Sequence, residues 1–122
     1  EILIGLVGSE MCKETVNELT FYGAFDGESL IGVIATKNEG KHISLFFIKP
    51  SYHRRGIGKQ LFKTAILNQP GSEMTVNSSS YAIPIYRKLG FEPVCEEQVT
   101  HGMKYTPMKR MGTKVRELEK VC

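Results

Sequence analysis

The hydrophobic period of this chain changes at one short basic turn, and no feature limits its fold more. Before the turn lie three β-rich runs, at about 19–25, 29–36 and 42–48. "DGE" and "KNEGK" separate them, and Asp-Gly and Asn-Glu-Gly are turn signals, so the three runs read as a β-meander of hairpins. Pro50 closes the third run, because proline has no N–H to give a ladder. After Gly56 the apolar residues fall at Ile57, Leu61, Phe62, Ala65 and Ile66, with Lys59, Gln60 and Lys63 on the other face. That is helical spacing. "NQPG" stops the helix at 68–71, and "EMTVN" (73–77) reads as a further strand. A strand, a helix and a strand in so short a stretch form a crossover unit, so the strands at 42–48 and 73–77 are expected to be parallel.

The flanks are less sharply patterned. Residues 3–18 carry apolar positions at mixed spacing and end in polar "KETVNE", which reads as a helix weakened by Gly5 and Gly8. A second helix is expected after 73–77, capped by Ser79 or Ser80, with Pro84 in its first turn and Gly90 at its end. "FEPVCEEQV" and "MKYTPMKRM" read as a terminal hairpin around "THG". The whole 1–122 is expected to be one domain, with a core at 19–108 and a charged tail at 109–122. No run approaches the ~20 apolar residues that span a bilayer. The three cysteines, Cys12, Cys95 and Cys122, are odd in number and scattered. They suggest reduced thiols in a cytoplasmic protein, neither a disulfide framework nor a metal site.

The turn itself, "SYHRRGIGKQLF" at 51–62, concentrates glycine and positive charge. From Lys41 to Ser72 there is no Asp or Glu, while Lys41, Lys49, Arg54, Arg55, Lys59 and Lys63 all fall in that window. A helix start offers unpaired N–H groups and a partial positive charge. Gly56 and Gly58 let a ligand approach the backbone, and the basic residues add attraction, so the turn reads as a phosphate cradle. It is not a P-loop: Gln60 follows Gly58-Lys59, and His53 stands where the earlier glycine belongs. Nor is it a dinucleotide fingerprint, because Leu61 takes the third glycine position and the strands before it form hairpins. The competing readings are a ligand-free connector with a solvated basic face and a nucleic-acid surface. The second is disfavoured by the small net charge of +3 and by the lack of an aromatic-studded face.

His53-Arg54-Arg55-Gly56-Ile57-Gly58 resembles the pyrophosphate-binding motif of the GNAT superfamily of N-acetyltransferases, Q/R-x-x-G-x-G/A at a strand-to-helix junction. "VNSSSYAIPIYRKLGF" (76–91) is similar to that family's second signature, and "ISLFFIKPSY" looks like its fourth strand. The resemblance covers about 19–108. It implies a GNAT-like α/β (α+β) fold: a mixed, mostly antiparallel twisted sheet with a central parallel strand pair and flanking helices. Only about 18 residues precede the meander, so the family's first strand and first helix are expected to be missing. A truncated sheet edge of that kind would encourage a homodimer.

The resemblance also implies roles. Acetyl-CoA would be the cosubstrate, with no metal, and the acceptor a small-molecule or peptide amine; no nucleic acid or membrane partner is implied. Backbone N–H groups around Arg55, Gly56, Ile57, Gly58 and Lys59 would hold the pyrophosphate, with charge from Arg54 and Arg55. His53 would still offer its backbone N–H. Phe47 and Ile48 would pair their backbones with pantetheine amides, as an added strand does, and an N–H near Ile48 would stabilise the oxyanion. Tyr86 would be the general acid to the CoA thiolate; its helical spacing with Ala82, Ile85 and Leu89 fits a core tyrosine equally. Asn77 would bind cofactor or cap the next helix. His42 is the best side-chain candidate for the base, against a plain surface histidine. Glu96 and Glu97 would attract a cationic acceptor or form a solvated pair. Cys95 has no histidine beside it in sequence and reads as a plain thiol. A non-catalytic CoA-binding module is the alternative to an enzyme.

Overall fold

A computed structural model describes residues 2–11, 18–67 and 73–111. The chain packs as two compact units, Glu1–Gln69 and Pro70–Cys122.

The first unit is an antiparallel sheet in sequence order: β1 (Ile2–Met11), β2 (Glu18–Asp26), β3 (Ser29–Lys37) and β4 (His42–Ile48). The three expected runs of the meander are all strands. The Asp-Gly turn between β2 and β3 has Gly27 at φ 62, the backbone that a two-residue hairpin loop needs at its first position. Helix α1 (Ile57–Leu67) follows where the period changes, and its buried stripe is Ile57, Leu61, Phe62 and Ala65. That stripe packs on the sheet, chiefly on β3 and β2, to make a core with Tyr22, Ala24, Ile31, Ile34, Ala35 and Ile43.

The helix expected at 3–18 is a correction: residues 2–11 are strand, so a strand does lie ahead of the meander. The cause is a β-bulge. Leu6 pairs with Tyr22 and Gly8 with Phe21, which leaves Val7 as the extra residue. One inserted residue breaks the period of two, and the apolar positions then fall at mixed spacing. Pairing with β2 overrides the weak local preference. A second bulge leaves Ile31 unpaired in β3, between Leu30 opposite Phe25 and Gly32 opposite Ala24.

The second unit contains β5 (Met74–Ser78), α2 (Ile83–Lys88), β6 (Glu92–Pro93), β7 (Gln98–Thr100) and β8 (Met103–Arg110). β8 is its centre: β5 lies along one side, β6 along the other, and β7 pairs with its start. Met74, Val76, Tyr86, Phe91 and Met108 form the core. The expected terminal hairpin exists around His101-Gly102, but its first arm is broken into β6 and β7. The Val94 N–H still bonds the Pro107 carbonyl, and the break falls at the bend of Cys95 and Glu96. β8 runs through Arg110, two residues into the expected tail; the helix stop at 68–71 and the rest of the tail lie outside the described residues.

Candidate active site

The turn between β4 and α1 is built to leave donors open. Pro50–Tyr52 make one 3-10 turn, and the His53 N–H closes it on the Pro50 carbonyl at 3.1 Å. Arg54 (φ 63) and Gly56 (φ 77) then take left-handed backbone. At Gly56 that conformation suits glycine, and an added Cβ would meet nothing within 4 Å, so the space above this residue is open. Gln60 donates to the Gly56 carbonyl at 3.1 Å. The N–H groups of Ile57, Gly58 and Lys59 therefore begin the helix without an intrahelical acceptor. An added Cβ on Gly58 would meet Ile48 and Phe46 side chains at 3.6 Å, ordinary contact that an alanine would satisfy. Arg54, Arg55 and Lys59 are exposed around these donors. The turn thus combines helix N–H groups without intrahelical acceptors, open space and positive charge, features that an anion can use.

One expected donor is withdrawn. The His53 N–H is spent on Pro50. Its ring works instead, with Nε2 donating to the Ile48 carbonyl at 2.8 Å, which ties the turn to the end of β4.

The ladder sorts the two β4 residues. The Lys49 N–H donates to the Ile31 carbonyl at 2.8 Å, while Ile48 stands opposite Gly32 and Phe47 opposite Val33. In an antiparallel pair this pattern makes Ile48–Gly32 the non-hydrogen-bonded pair. The Ile48 N–H and C=O point away from β3, and those of Phe47 point into the β3 ladder. Ile48 thus has a backbone N–H on the outer side of β4, whereas the expected pairing of Phe47's backbone with a ligand is corrected. Phe47 presents its side chain instead, 52% exposed. Gly32 gives Ile48 room, since a Cβ there would meet Ile48 Cδ1 at 2.6 Å.

Tyr86 lies in α2 and is 8% exposed. Its ring meets Phe91 edge-on, with centroids 5.5 Å apart at 73°. Burial pushes its phenol up to about 12, so it stays protonated at neutral pH. Asn77 is exposed on β5 opposite Pro107. It does not cap α2, whose first residue follows Ala82; there the Ser79 Oγ accepts from the Ala82 N–H at 3.3 Å. The Pro107 carbonyl accepts from the Val94 N–H, so Pro107's backbone faces β6, and that of Asn77 faces away from β8.

His42 is at the opposite end of β4 from Ile48, six residues away, or about 20 Å along a strand. It sits opposite Lys37, and burial, then the charge of Lys37, lowers its pKa. His42 and the Ile48 N–H therefore lie at opposite ends of β4. Glu96 and Glu97 are exposed in the bend before β7, not on a strand. Cys95 is exposed, with the Gln98 amide 3.7 Å from its sulfur. Among the described residues no cluster of His, Cys, Asp or Glu could hold a metal, and no helix is long and apolar enough to cross a membrane.

Sequence reasoning missed Tyr52 and Asp26. The Tyr52 hydroxyl donates to Asp26 Oδ2 at 2.6 Å, and the Arg55 guanidinium lies over the Tyr52 ring, 5.1 Å from its centroid. Tyr52 is visible in the quoted turn, but its partner is 26 residues away and reads as an ordinary turn residue.

Comparison with known proteins bears on the same region. Residues 6–111 match the model of the acetyltransferase (GNAT) domain. The uncharacterized N-acetyltransferase YafP of Escherichia coli (strain K12) is 36% identical over 58 residues, 48% of this chain and 37% of that protein; the match thus spans little more than a third of this relative. The structure of an IAA acetyltransferase from Bacillus cereus ATCC 14579 superposes with a TM-score of 0.64 at 18% identity, covering 91% of this chain and 99% of that one. That of a PaiA N-acetyltransferase from Thermoplasma acidophilum, in complex with coenzyme A, gives 0.60 at 27% identity, covering 81% and 64%. With the domain model spanning most of its length, the chain belongs to the GNAT acetyltransferase family.

Proposed function

We propose that this chain is an acetyl-CoA-dependent N-acetyltransferase acting on a primary amine. The observation that carries the reading is the β4–α1 turn, where the N–H groups of Ile57, Gly58 and Lys59 have no intrahelical acceptor and the space above Gly56 is unfilled. A pyrophosphate fits that chemistry: it accepts several hydrogen bonds and complements both the helix terminus and the exposed arginines.

Acetyl-CoA, when bound, supplies the activated acetyl thioester. The chain's own residues do the rest. The outward N–H of Ile48 donates to the carbonyl oxygen as negative charge develops on it. The His53 ring holds the neighbouring Ile48 carbonyl and so fixes the orientation of that strand end. The amine nitrogen bonds to the acetyl carbon, the carbon–sulfur bond breaks, and the sulfur leaves as thiolate. Tyr86 donates a hydrogen bond or its proton to that sulfur. The proton lost by the amine passes to solvent or back to Tyr86, which balances the reaction. A phenol held near 12 favours hydrogen-bond donation over complete transfer, because a thiolate is the weaker base. Asn77 contributes its outward backbone or its exposed amide to the cosubstrate.

One observation favours the alternative of a non-catalytic CoA-binding module. Tyr86 is packed edge-on against Phe91 as a core residue would be. Calorimetric titration with acetyl-CoA, with ATP and NAD as controls, tests the cradle; an amine acceptor screen with wild type and Tyr86→Phe separates the two readings. Selective micromolar binding with turnover that falls in Tyr86→Phe supports the enzyme. Binding without turnover on any amine supports the module, and no binding removes both.

A further inference from the structure

The cradle holds a contradiction. A site that gathers positive charge for an anion has a carboxylate within reach. Asp26 accepts from the Tyr52 hydroxyl at 2.6 Å, and Tyr52 lies under Arg55. By charge alone Asp26 repels a phosphate and weakens the site. Its presence calls for a contribution that outweighs the repulsion, and the geometry supplies one.

We propose that Tyr52, held by Asp26, is a positioning residue for the phosphate turn, and that it presets the Arg55 guanidinium for the CoA phosphates. This rests on the proposed acetyl-CoA reading. Three facts support it. Arg55 is exposed, and a free arginine side chain loses rotamer entropy when a ligand fixes it. Stacking on an aromatic face removes part of that freedom before the ligand arrives. The hydroxyl of Tyr52 is anchored to the tip of the β2–β3 hairpin, so the ring cannot turn with the loop. And the turn needs holding: Arg54 stands in left-handed backbone next door, a conformation that a non-glycine residue keeps only when its surroundings impose it. The hydrogen bond to Asp26 also leads the causes that raise the Tyr52 pKa, followed by burial and the charge of Asp26, against a lowering by Arg55.

The test exploits opposite signs. Asp26→Ala removes a negative charge, so simple electrostatics expects tighter CoA binding. Positioning expects weaker binding, by about threefold to tenfold for one lost hydrogen bond. Asp26→Asn keeps an acceptor for the hydroxyl and drops the charge, so it should bind at least as well as wild type. Tyr52→Phe should weaken binding as Asp26→Ala does, and the double variant should be no worse than either single one. Affinity for coenzyme A by calorimetry and melting temperature are read for each variant. Backbone and Arg55 side-chain N–H signals of the free protein are read by NMR. Expected are weaker binding in Tyr52→Phe and Asp26→Ala at unchanged melting temperature, rescue in Asp26→Asn, and altered Arg54–Gly56 and Arg55 signals. Tighter or equal binding in Asp26→Ala overturns the proposal, as does a parallel loss of melting temperature and affinity in every variant. Should wild type fail to bind coenzyme A, the acetyl-CoA reading falls. The NMR readout still judges the positioning claim, and unchanged signals in Tyr52→Phe overturn it.

Discussion

Among the described residues the chain turns from strand to α-helix twice, and the two junctions treat their backbones differently. At β4–α1 the turn goes through left-handed Arg54 and Gly56 and leaves three helix N–H groups without intrahelical acceptors. At β5–α2 the chain closes on itself. The Ser78 hydroxyl, buried, donates to the Ser79 carbonyl at 2.7 Å, and the Ala82 N–H is met by both Ser79 oxygens. The first junction enters its helix through two left-handed residues, whereas the second has serine oxygens meeting the Ala82 N–H just ahead of its helix. A motif at a helix start is therefore no guide to anion binding until its donors have been followed to their acceptors.

The largest expected effect lies with the chemistry assigned to the closed junction. Tyr86→Phe should lower kcat by about a hundredfold, within the usual range for a positioned acid, with coenzyme A affinity within twofold of wild type. Equal kcat in the two proteins would reduce this junction to packing. Next comes an attempt to close the open junction. Gly56→Ala meets no protein atom but places a methyl in the open space and costs about 1–2 kcal/mol in left-handed backbone. We expect a tenfold to hundredfold loss of coenzyme A affinity by calorimetry, with only a modest fall in melting temperature. Unchanged affinity would mean the phosphates lie elsewhere.

Two pH effects sharpen the contrast. The folded Tyr86 pKa lies above its unfolded value near 10, so the neutral phenol's contribution to stability is complete below pH 10. It is lost as pH rises toward about 12, and amounts to roughly 2–3 kcal/mol. Denaturant titrations should show this alkaline loss in wild type and a smaller one in Tyr86→Phe. The folded His42 pKa is lowered, so its contribution is present above the unfolded value of about 6.5 and is lost as pH falls below it. His42→Gln should soften that acid limb and leave kcat within twofold, as its distance from Ile48 requires. Smallest is Arg54→Gly, which releases the left-handed strain at φ 63. It should raise stability by about 0.5–1 kcal/mol while weakening coenzyme A binding. Stability and affinity moving together would contradict the separation of strain from function.

Much of this architecture was legible in the residues. The meander could be read because its turns are marked by Gly27 and by "KNEGK", and α1 because Ile57, Leu61, Phe62 and Ala65 keep one period over nine positions. β1 could not, since the bulge at Val7 erased the alternation that identifies a strand. At the site, Gly56 and the arginines were visible as a cluster. The sorting of Phe47 from Ile48 was not, because it depends on which pairs of a ladder are hydrogen-bonded, a matter of register with β3. His53 was read by its motif position as a backbone donor, yet its backbone is tied to Pro50 and its ring does the linking. Local signals carry elements; partners distant in sequence, such as Asp26 for Tyr52, leave no local trace.

The link from Asp26 to Tyr52 bears on how such a chain can change over time. Hairpin tips are ordinarily where added residues do least harm, because little packs on them. Here the tip at Asp26 is moored to the turn at Tyr52. An extra residue between Asp26 and Ser29 would shift the mooring point, and its cost would be felt at the β4–α1 turn more than in the hairpin. Length variation among descendants of this chain should accordingly avoid that tip and collect at the other meander turn, Asn38–Lys41.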